Sequence, residues 1–207
     1  MKKKNLVHFN MFDWKIFAFL ILFTPFIFSI IINPINNCSE LQDIKNNLGG
    51  DYKLENDINC SSFSFSPIGI NTEAFVGILD GKGFMIHDLN IISSESQEGG
   101  IFGFTDSNAK IFNLTLRDIT LNLGVTGSIG LLVGYAKTSI IKDIKIISSN
   151  KTVVNHLKST KNSNAGAGGL IGYSDNSNIT NIYISNTFVE TPGYSRVGGV
   201  IGNINNG

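Results

Sequence analysis

From residue 85 onward, short stretches of the chain repeat one pattern of apolar and polar positions. The pattern reads Ile, any residue, Asn or Asp, Leu or Ile, any residue, and Ile or Leu, and its starts lie 25, 30 and 38 residues apart. This alternation is typical of a β-strand that buries one face. The four copies are MIHDLNI at 85–91, KIFNLTL at 110–116, IIKDIKI at 140–146 and NITNIYI at 178–184.

The repetition predicts parallel strands stacked one coil above another. A strand of about five or six residues is unstable alone, so the copies must stack, and copies of one direction stack most simply in parallel. Spacers such as 92–99 and 151–168 would form loops outside the stacked walls and would carry any binding specificity. The Asn or Asp of the pattern would recur at one corner of each coil and bond to the neighbouring backbone or to its counterpart. These corner residues are Asp88, Asn113, Asp143 and Asn181.

A glycine-rich motif accompanies the strands: EGGIFGF at 98–104, IGLLVGY at 129–135, GGLIGY at 168–173 and GGVIGN at 198–203. Glycines around an apolar pair allow close backbone approach or a sharp bend. The chain has no GxxxxGK[ST] sequence, and no motif leads from a strand into a helix, which argues against a phosphate-binding loop. The repeat glycines are Gly100, Gly103, Gly130, Gly134, Gly169, Gly172, Gly199 and Gly202. We expect Gly103→Val to impair folding without a specific effect on ligand binding.

The order of these motifs resembles the GLUG-motif repeats of bacterial surface and secreted proteins, including some immunoglobulin A peptidases. The resemblance covers residues 38–204, beginning with a short helix and a strand in CSELQDIKNNLGGDYKLENDINCS at 38–61. It implies an all-β protein, a right-handed parallel β-helix (solenoid) of about four coils used as a surface or adhesive scaffold. A hydrophobic N-terminal helix and a short capping helix would precede the coils. The chain lacks HExxH, so the zinc peptidase activity of some GLUG-bearing proteins is not carried over.

The first 34 residues differ in kind from the rest. Lys2, Lys3 and Lys4 precede 17 uncharged residues, IFAFLILFTPFIFSIII, at 16–32. Their length fits either a secretory signal peptide or a signal-anchor that spans the membrane, with the amino terminus in the cytoplasm. Residues 35–207 are then expected outside the cell or in a lumen, secreted or membrane-anchored. The predicted domains are this segment (1–34), an N-terminal cap region (35–70) and the solenoid (71–207), whose last coil is incomplete.

The expected export of the chain bears on the state of its two cysteines. Cys38 and Cys60 are the only cysteines, and an even count in an oxidising compartment favours a disulfide. Two buried free thiols are the alternative, whereas no His lies near enough in sequence to suggest a metal site. Candidate N-glycosylation sequons occur at Asn37, Asn59, Asn113, Asn150 and Asn178. Asn150, in the polar SSNKT, is the best acceptor, and Asn113 would be a poor one in a stacked corner.

Carbohydrate cleavage is the main catalytic alternative, because parallel β-helices often host polysaccharide lyases and hydrolases. Such enzymes need clustered carboxylates, or a carboxylate with Arg or Lys, along one face. Asp88 and Asp143 share the corner position with asparagines, so a turn role suffices for them, and Asp80 lies in the turn sequence DGKG. Of the histidines, His87 is expected to face solvent. The groups considered are Asp80, Asp88, Asp118, Asp143, Asp175, Arg117, Arg196, His8, His87 and His156.

The sequence therefore predicts adhesion or extracellular binding without catalytic residues, a metal or a cofactor. The chain has 16 basic and 16 acidic residues, and this balance does not suggest nucleic-acid binding. The expected partner is a glycan or a matrix or surface protein, and the N-terminal segment would supply any membrane contact. A carbohydrate-active enzyme and a truncated piece of a larger adhesin or surface protease are the alternatives.

Overall fold

The computed structural model describes residues 31–70, 72–93, 98–123, 127–149, 152–156, 165–190 and 196–205. The chain divides into two units, Met1–Ile31 and Ile32–Gly207. Most of the hydrophobic run at 16–32, and with it the predicted leader helix, lies outside the described residues. Within these ranges, no helix has both the length and the hydrophobicity that crossing a membrane requires.

The described residues form many short strands and little helix. The helical part is α1 (Cys38–Gln42) followed by a 3-10 turn (Asp43–Asn46). The strands are β1 (Ile32–Ile35), β2 (Asp51–Leu54), β3 (Ile58–Asn59), β4 (Ser64–Phe65), β5 (Ile78–Asp80), β6 (Met85–His87), β7 (Asn90–Ser93), β8 (Phe102–Thr105), β9 (Lys110–Arg117), β10 (Thr120–Leu123), β11 (Ile129–Gly130), β12 (Val133–Lys137), β13 (Ile140–Ile147), β14 (Thr152–His156), β15 (Gly166–Gly168), β16 (Ile171–Asp175), β17 (Asn178–Ile184), β18 (Thr187–Glu190), β19 (Arg196–Gly198) and β20 (Ile201–Asn205).

The described chain is all-β, as expected from its sequence, and every pairing between these strands is parallel. The strands form four sheets. Sheet 1 runs β1-β2-β5-β9-β13-β17, with β6 pairing to both β3 and β9. Sheet 2 runs β4-β7-β10-β14-β18, sheet 3 β11-β15-β19, and sheet 4 β8-β12-β16-β20.

From β9 onward the chain visits the sheets in a fixed order. Strands β9 to β12 supply one strand to each of sheets 1 to 4, and β13 to β16 and β17 to β20 do the same. We call each such set of four strands a rung. Ile111 of the first rung pairs with Ile141 of the second, which pairs with Ile179 of the third. The spacings of 30 and 38 residues between these copies of the pattern are therefore the chain lengths that separate paired positions in neighbouring rungs.

Apolar side chains from all four sheets meet in one core. Ile141, Leu121, Ile129 and Val133, from sheets 1 to 4 in that order, are each at most 1% exposed. Burying one such side chain contributes about 1.5–3 kcal/mol. Short strands with few internal contacts are thus held by packing between the sheets.

Sheet 1 begins nearer to the amino terminus of the chain than the sequence predicted. Ile32 pairs with Asp51 and Ile35 with Leu54, so residues 32–34, assigned from sequence to the leader, belong to sheet 1. Pro34 is tolerated there because β1 is an edge strand.

The predicted short helix is present as α1. Asn37 is its N-cap, with its side-chain oxygen accepting a hydrogen bond from the Glu40 N–H at 3.0 Å. Hydrogen bonds from the Asn36 backbone and side chain hold the pKa of Glu40 below its ordinary value. Leu41 and Ile44 are fully buried, so the helix and the turn that follows it close the core beside β1 and β2.

Candidate functional site

Asn113, Asp143 and Asn181 occupy equivalent positions in successive rungs of sheet 1, which we call the first corner. Their φ angles are 56°, 56° and 53°, the left-handed conformation that Asn and Asp adopt more readily than other residues with a side chain. The neighbouring pairs fix this alignment, because Ile144 pairs with both Leu114 and Ile182.

Asp88 does not belong to the first corner. Ile86 pairs with Leu116 and His87 with Arg117, which aligns Asp88 with Asp118. The copy MIHDLNI therefore matches TLRDITL at 115–121 and marks a second corner of the rung. The sequence pattern could not separate the two corners, because both place Asp or Asn before an apolar alternation.

In the strands that pair with β9 from the N-terminal side, the position equivalent to Asn113 is occupied by a bulge. Leu79 pairs with Ile111 and Met85 with Thr115. Four residues, Gly81–Phe84, therefore lie opposite the two residues Asn113 and Leu114. This insertion hides the pattern in the sequence, although the DGKG turn at 80–83 marks its place.

Side chains of the first corner bond from rung to rung. The Asn113 side-chain N–H donates to Asp80 Oδ1 at 3.2 Å, and that of Asn181 donates to Asp143 Oδ1 at 2.6 Å. Asp80 and Asp143, both considered as catalytic carboxylates, therefore each accept from the amide of the following rung. In this geometry each carboxylate links two neighbouring strands of sheet 1.

The second corner contains Asp88, Asp118 and Asn186, whose φ angles are 56°, 53° and 56°. Burial acts to raise the pKa of Asp118. Hydrogen bonds from the Ser149 hydroxyl and N–H, at 2.7 and 2.8 Å, and from the Ser148 hydroxyl outweigh it and hold that pKa below its ordinary value.

His87 and Arg117 are register partners on β6 and β9, whereas Arg196 lies on β19. His87 is partly buried rather than fully solvent-facing, with Nδ1 at 2.7 Å from Asp88 Oδ2. Arg117 lies 3.7 Å from Asp118, and Arg196 is exposed on β19. Across the described residues, no group of three or more His, Cys, Asp or Glu side chains is placed to hold a metal ion. His8 lies outside the described residues, and so does the side chain of His156.

A groove of about 460 Å³ lies over β9 beside the first corner. The side chains of Asn113 and Thr115 form its floor. One rim is the bulge, where Lys82 and Gly83 have φ angles of 53° and 83°. The other rim is Asp143 and Lys145 of β13. The groove is thus lined by the bulge on one side of β9 and by residues of β13 on the other.

The two lysines that line the groove carry hydrogen-bond donors that are not taken up by the acceptors of the groove. Lys82 Nζ forms an ion pair with Asp80 Oδ2 at 3.8 Å, longer than a hydrogen bond, and its side chain is 52% exposed. Lys145 Nζ lies 5.7 Å from the ring centre of Tyr183 and forms no ion pair with a carboxylate of the described chain. The Asp143 carboxylate already accepts the Asn181 amide. The groove is therefore lined by two lysines whose ammonium groups are not hydrogen-bonded to a carboxylate of the described chain.

Sheet 4 carries an aromatic column, formed by Phe104, Tyr135 and Tyr173 with ring centres 5.0 and 4.8 Å apart. Burial, the negative charge of Asp175 and the neighbouring ring raise the pKa of Tyr135 to about 12. Asp175 also accepts a hydrogen bond from Asn205 at 3.0 Å, so this candidate carboxylate is engaged as well.

Asp106 lies beside this column. Burial acts to raise its pKa. Hydrogen bonds from the Ser107 N–H, the Thr138 hydroxyl and the Lys137 ammonium outweigh it and hold the pKa below its ordinary value. The polar groups beside the aromatic column thus bond mainly to one another.

Most of the repeat glycines stand where two backbones nearly touch. A Cβ added to Gly103 would lie 2.5 Å from the Gly69 carbonyl oxygen, and one added to Gly134 would lie 2.7 Å from the Gly99 nitrogen. The same holds against other backbone atoms for Gly100, Gly130, Gly169, Gly172 and Gly202. Gly199 differs, because a Cβ there meets no atom within 4 Å. Close approach thus explains every repeat glycine except Gly199.

Cys38 and Cys60 form a disulfide with their Cα atoms 5.6 Å apart. It joins α1 to the end of β3 and closes a loop of 22 residues. Asn37 and Asn59 flank the two cysteines. The Asn37 amide N–H donates to Glu40, and the Asn59 side-chain oxygen accepts from the Ser61 N–H. Of the remaining sequons, Asn113 is engaged with Asp80, Asn178 is exposed on β17, and Asn150 lies outside the described residues.

The described chain is all-β, with four sheets of parallel strands and a polar groove beside the first corner. No protein-family model and no solved structure matches the chain. The sequence is 34% identical over 187 residues to halomucin of Haloquadratum walsbyi. The alignment takes in 82% of this chain but 2% of halomucin, so the chain spans a small fraction of that relative's length.

Proposed function

We propose that the stacked rungs form a right-handed parallel β-helix of about four coils, of the kind seen in GLUG-motif repeats, that acts as an extracellular binding scaffold. The observation that carries this proposal is the in-register stacking of Ile111, Ile141 and Ile179, in which the same position of the pattern recurs at the same place in each rung. Such stacking produces an exposed wall of repeated side chains, which suits binding to an extended partner.

Export is part of the proposal. The Cys38–Cys60 disulfide supports an oxidising compartment, and the run at 16–32 would direct export as a signal peptide or a signal-anchor. Similarity to a segment of a much longer protein supports a modular use of such rungs. Determining the amino-terminal sequence of the mature protein tests the leader. A mature chain that starts near residue 30 indicates cleavage, and an intact Met1 in the membrane fraction indicates an anchor.

We propose a role without catalysis because the candidate carboxylates accept hydrogen bonds from neighbouring parts of the chain. Asp80, Asp143 and Asp118 each accept hydrogen bonds that join neighbouring rungs. Glycan and matrix-protein arrays test this proposal with the full chain. We expect retention of at least one immobilised ligand, with the ligand recovered intact. Release of shortened sugars would contradict a purely binding role, and failure to bind any array component would contradict the scaffold proposal itself.

The groove gives one reason to keep a second candidate, a polysaccharide lyase. It brings Lys82, Lys145 and Asp143 to one solvent-facing site, and a lyase needs a base beside the proton next to a sugar carboxylate. Incubation with acidic polysaccharides while the ultraviolet absorbance of an unsaturated sugar product is followed tests this candidate. A rise that Lys145→Gln abolishes would favour the enzyme over the scaffold.

A further inference from the structure

We propose that the groove over β9 binds an anionic group of an acidic polysaccharide, with Lys82 and Lys145 as the two cationic contacts. The inference rests on the proposed binding function and specifies its site and the chemistry of its ligand. The argument combines the shape of the groove, its donors and the surface beside it.

The shape follows from the bulge. Gly81–Phe84 contains two more residues than the strand segment it faces, and the insertion includes Lys82 and Gly83, which line the groove together with Asp143 and Lys145 of β13. The resulting volume of about 460 Å³ lies within the usual range of small-molecule sites. The space accommodates a short segment of a polysaccharide.

The donors select an anion. Each lysine ammonium carries three N–H donors and no acceptor, and within the described chain neither Lys82 nor Lys145 has a hydrogen-bonded carboxylate. Asp143, the carboxylate on the rim, accepts a hydrogen bond from the neutral Asn181 amide at 2.6 Å. Its charge still opposes an anion, but the two lysines of the lining outnumber it. A charged oxygen gains more from these donors than a sugar hydroxyl does, since charge-assisted hydrogen bonds are about twice as strong as neutral ones.

The surface beside the groove suits a sugar rather than a free inorganic anion. Tyr183 pairs with Lys145 in the next strand, and its side chain is 57% exposed. An aromatic ring in this position offers an apolar face with a polar tip. Lys145 Nζ lies over this ring, 5.7 Å from its centre, so a sugar ring next to the anchored anionic group would pack on the part of the ring that Lys145 leaves exposed. The anionic group can be a carboxylate or a sulfate, because both present the same charged oxygens to the lysines.

The chain supplies a matched control for Lys145. Lys142 lies on the same strand, is exposed, and has its ammonium 5.5 Å from the ring centre of Phe112, as Lys145 has its own over Tyr183. Lys142 does not line the groove. Lys142→Gln and Lys145→Gln thus remove the same charge from the same strand, and only the second alters the groove.

The test measures binding of the full chain to immobilised polygalacturonate, dextran sulfate and uncharged dextran at several salt concentrations. We expect binding to one or both charged polymers, weakening as salt increases, and none to dextran. Lys82→Gln and Lys145→Gln should each weaken binding about fivefold, the upper end for an exposed ion pair. Lys142→Gln should leave it unchanged, and circular dichroism should show all three variants folded.

Several results would overturn the inference. These are equal losses from Lys142→Gln and Lys145→Gln, equal binding to dextran, and acidic-polymer binding that none of the lysine variants alters. A wild-type chain that binds a neutral glycan or a matrix protein, but neither charged polymer, would also overturn it while leaving the scaffold proposal intact. Preference for polygalacturonate over dextran sulfate, or the reverse, identifies the anionic group.

Discussion

At the scale of residues, the left-handed positions explain a departure from strict alternation. Ile141, Ile144 and Ile146 are all buried, although an uninterrupted strand would turn positions 141 and 144 to opposite faces. Asp143, with φ of 56°, lies between them. The left-handed residue bends the strand and brings both flanking apolar residues to the core. The Asn or Asp of the pattern is therefore a backbone requirement as well as a side-chain contact.

Asn113→Val tests that requirement. A β-branched residue is strained at φ of 56°, and Val also loses the hydrogen bond to Asp80. We expect the free energy of unfolding, measured by urea denaturation, to fall by about 1–2 kcal/mol. Thr115→Val, on the same strand and without a left-handed φ, is the control. Equal effects of the two substitutions would contradict the strain argument.

Asp118 should make part of the stability depend on pH. Its pKa in the folded state is lower than the ordinary value it has when unfolded. The ionised carboxylate therefore contributes stability above the ordinary pKa, about 3.9, and that contribution is lost as pH falls through the lower folded pKa.

We expect Asp118→Asn to lower stability at pH 7 and to flatten the decline of the urea midpoint between about pH 5 and pH 2. Asp43→Asn, at an exposed position outside the corners, is the control for loss of a carboxylate. An unchanged acid profile in Asp118→Asn would show that the second corner does not depend on this charge.

At the scale of elements, glycines set the distance between sheets 3 and 4. Gly134 and Gly172 of sheet 4 lie directly against the backbones of Gly99 and Ile129, leaving no room for a Cβ. The apolar pairs between the glycines, such as Leu131 and Leu132, are fully buried. Each glycine motif thus allows two strands to lie in close contact while its apolar residues enter the core.

Gly103→Ala and Gly199→Ala form a matched pair for this argument. The added methyl at Gly103 meets the Gly69 carbonyl oxygen, whereas at Gly199 it meets open space. We expect Gly103→Ala to lower the free energy of unfolding by about 1–3 kcal/mol, with a larger loss for Gly103→Val, and Gly199→Ala to have little effect. Thermal unfolding followed by circular dichroism measures both. A Gly103→Ala protein as stable as the wild type would contradict the close approach.

At the scale of the whole molecule, burial differs between the middle rung and the last rung that the structure describes. Val197 and Val200 are 53% and 40% exposed, although their counterparts one rung earlier, Ala167 and Leu170, are fully buried. A position of the pattern is therefore buried to the extent that rungs lie on both sides of it. The loss of stability caused by a given substitution should therefore depend on the rung in which the residue lies, and not only on the residue type.

The same substitution in two rungs tests this dependence. Ile144 is 1% exposed, and Ile182, its partner in the last described rung, is only partly buried. We expect Ile144→Ala to lower the free energy of unfolding by about 2–5 kcal/mol and Ile182→Ala by about 1 kcal/mol. Equal losses in urea denaturation would mean that the last rung is covered as well as the middle one.

The amino-acid sequence by itself determined the all-β class, the stacking of the copies at 111, 141 and 179, and the pairing of the only two cysteines. Apolar periodicity, left-handed turn residues and cysteine count are local signals, so they can be read along the chain. The tertiary structure alone decided that Asp88 belongs to the second corner, that Gly199 lacks a close neighbour, and that Lys82 and Lys145 line one groove over β9. Register depends on how rungs pack against one another, and the insertion of two extra residues in the bulge Gly81–Phe84 shifts it in a way that the repeated pattern does not reveal.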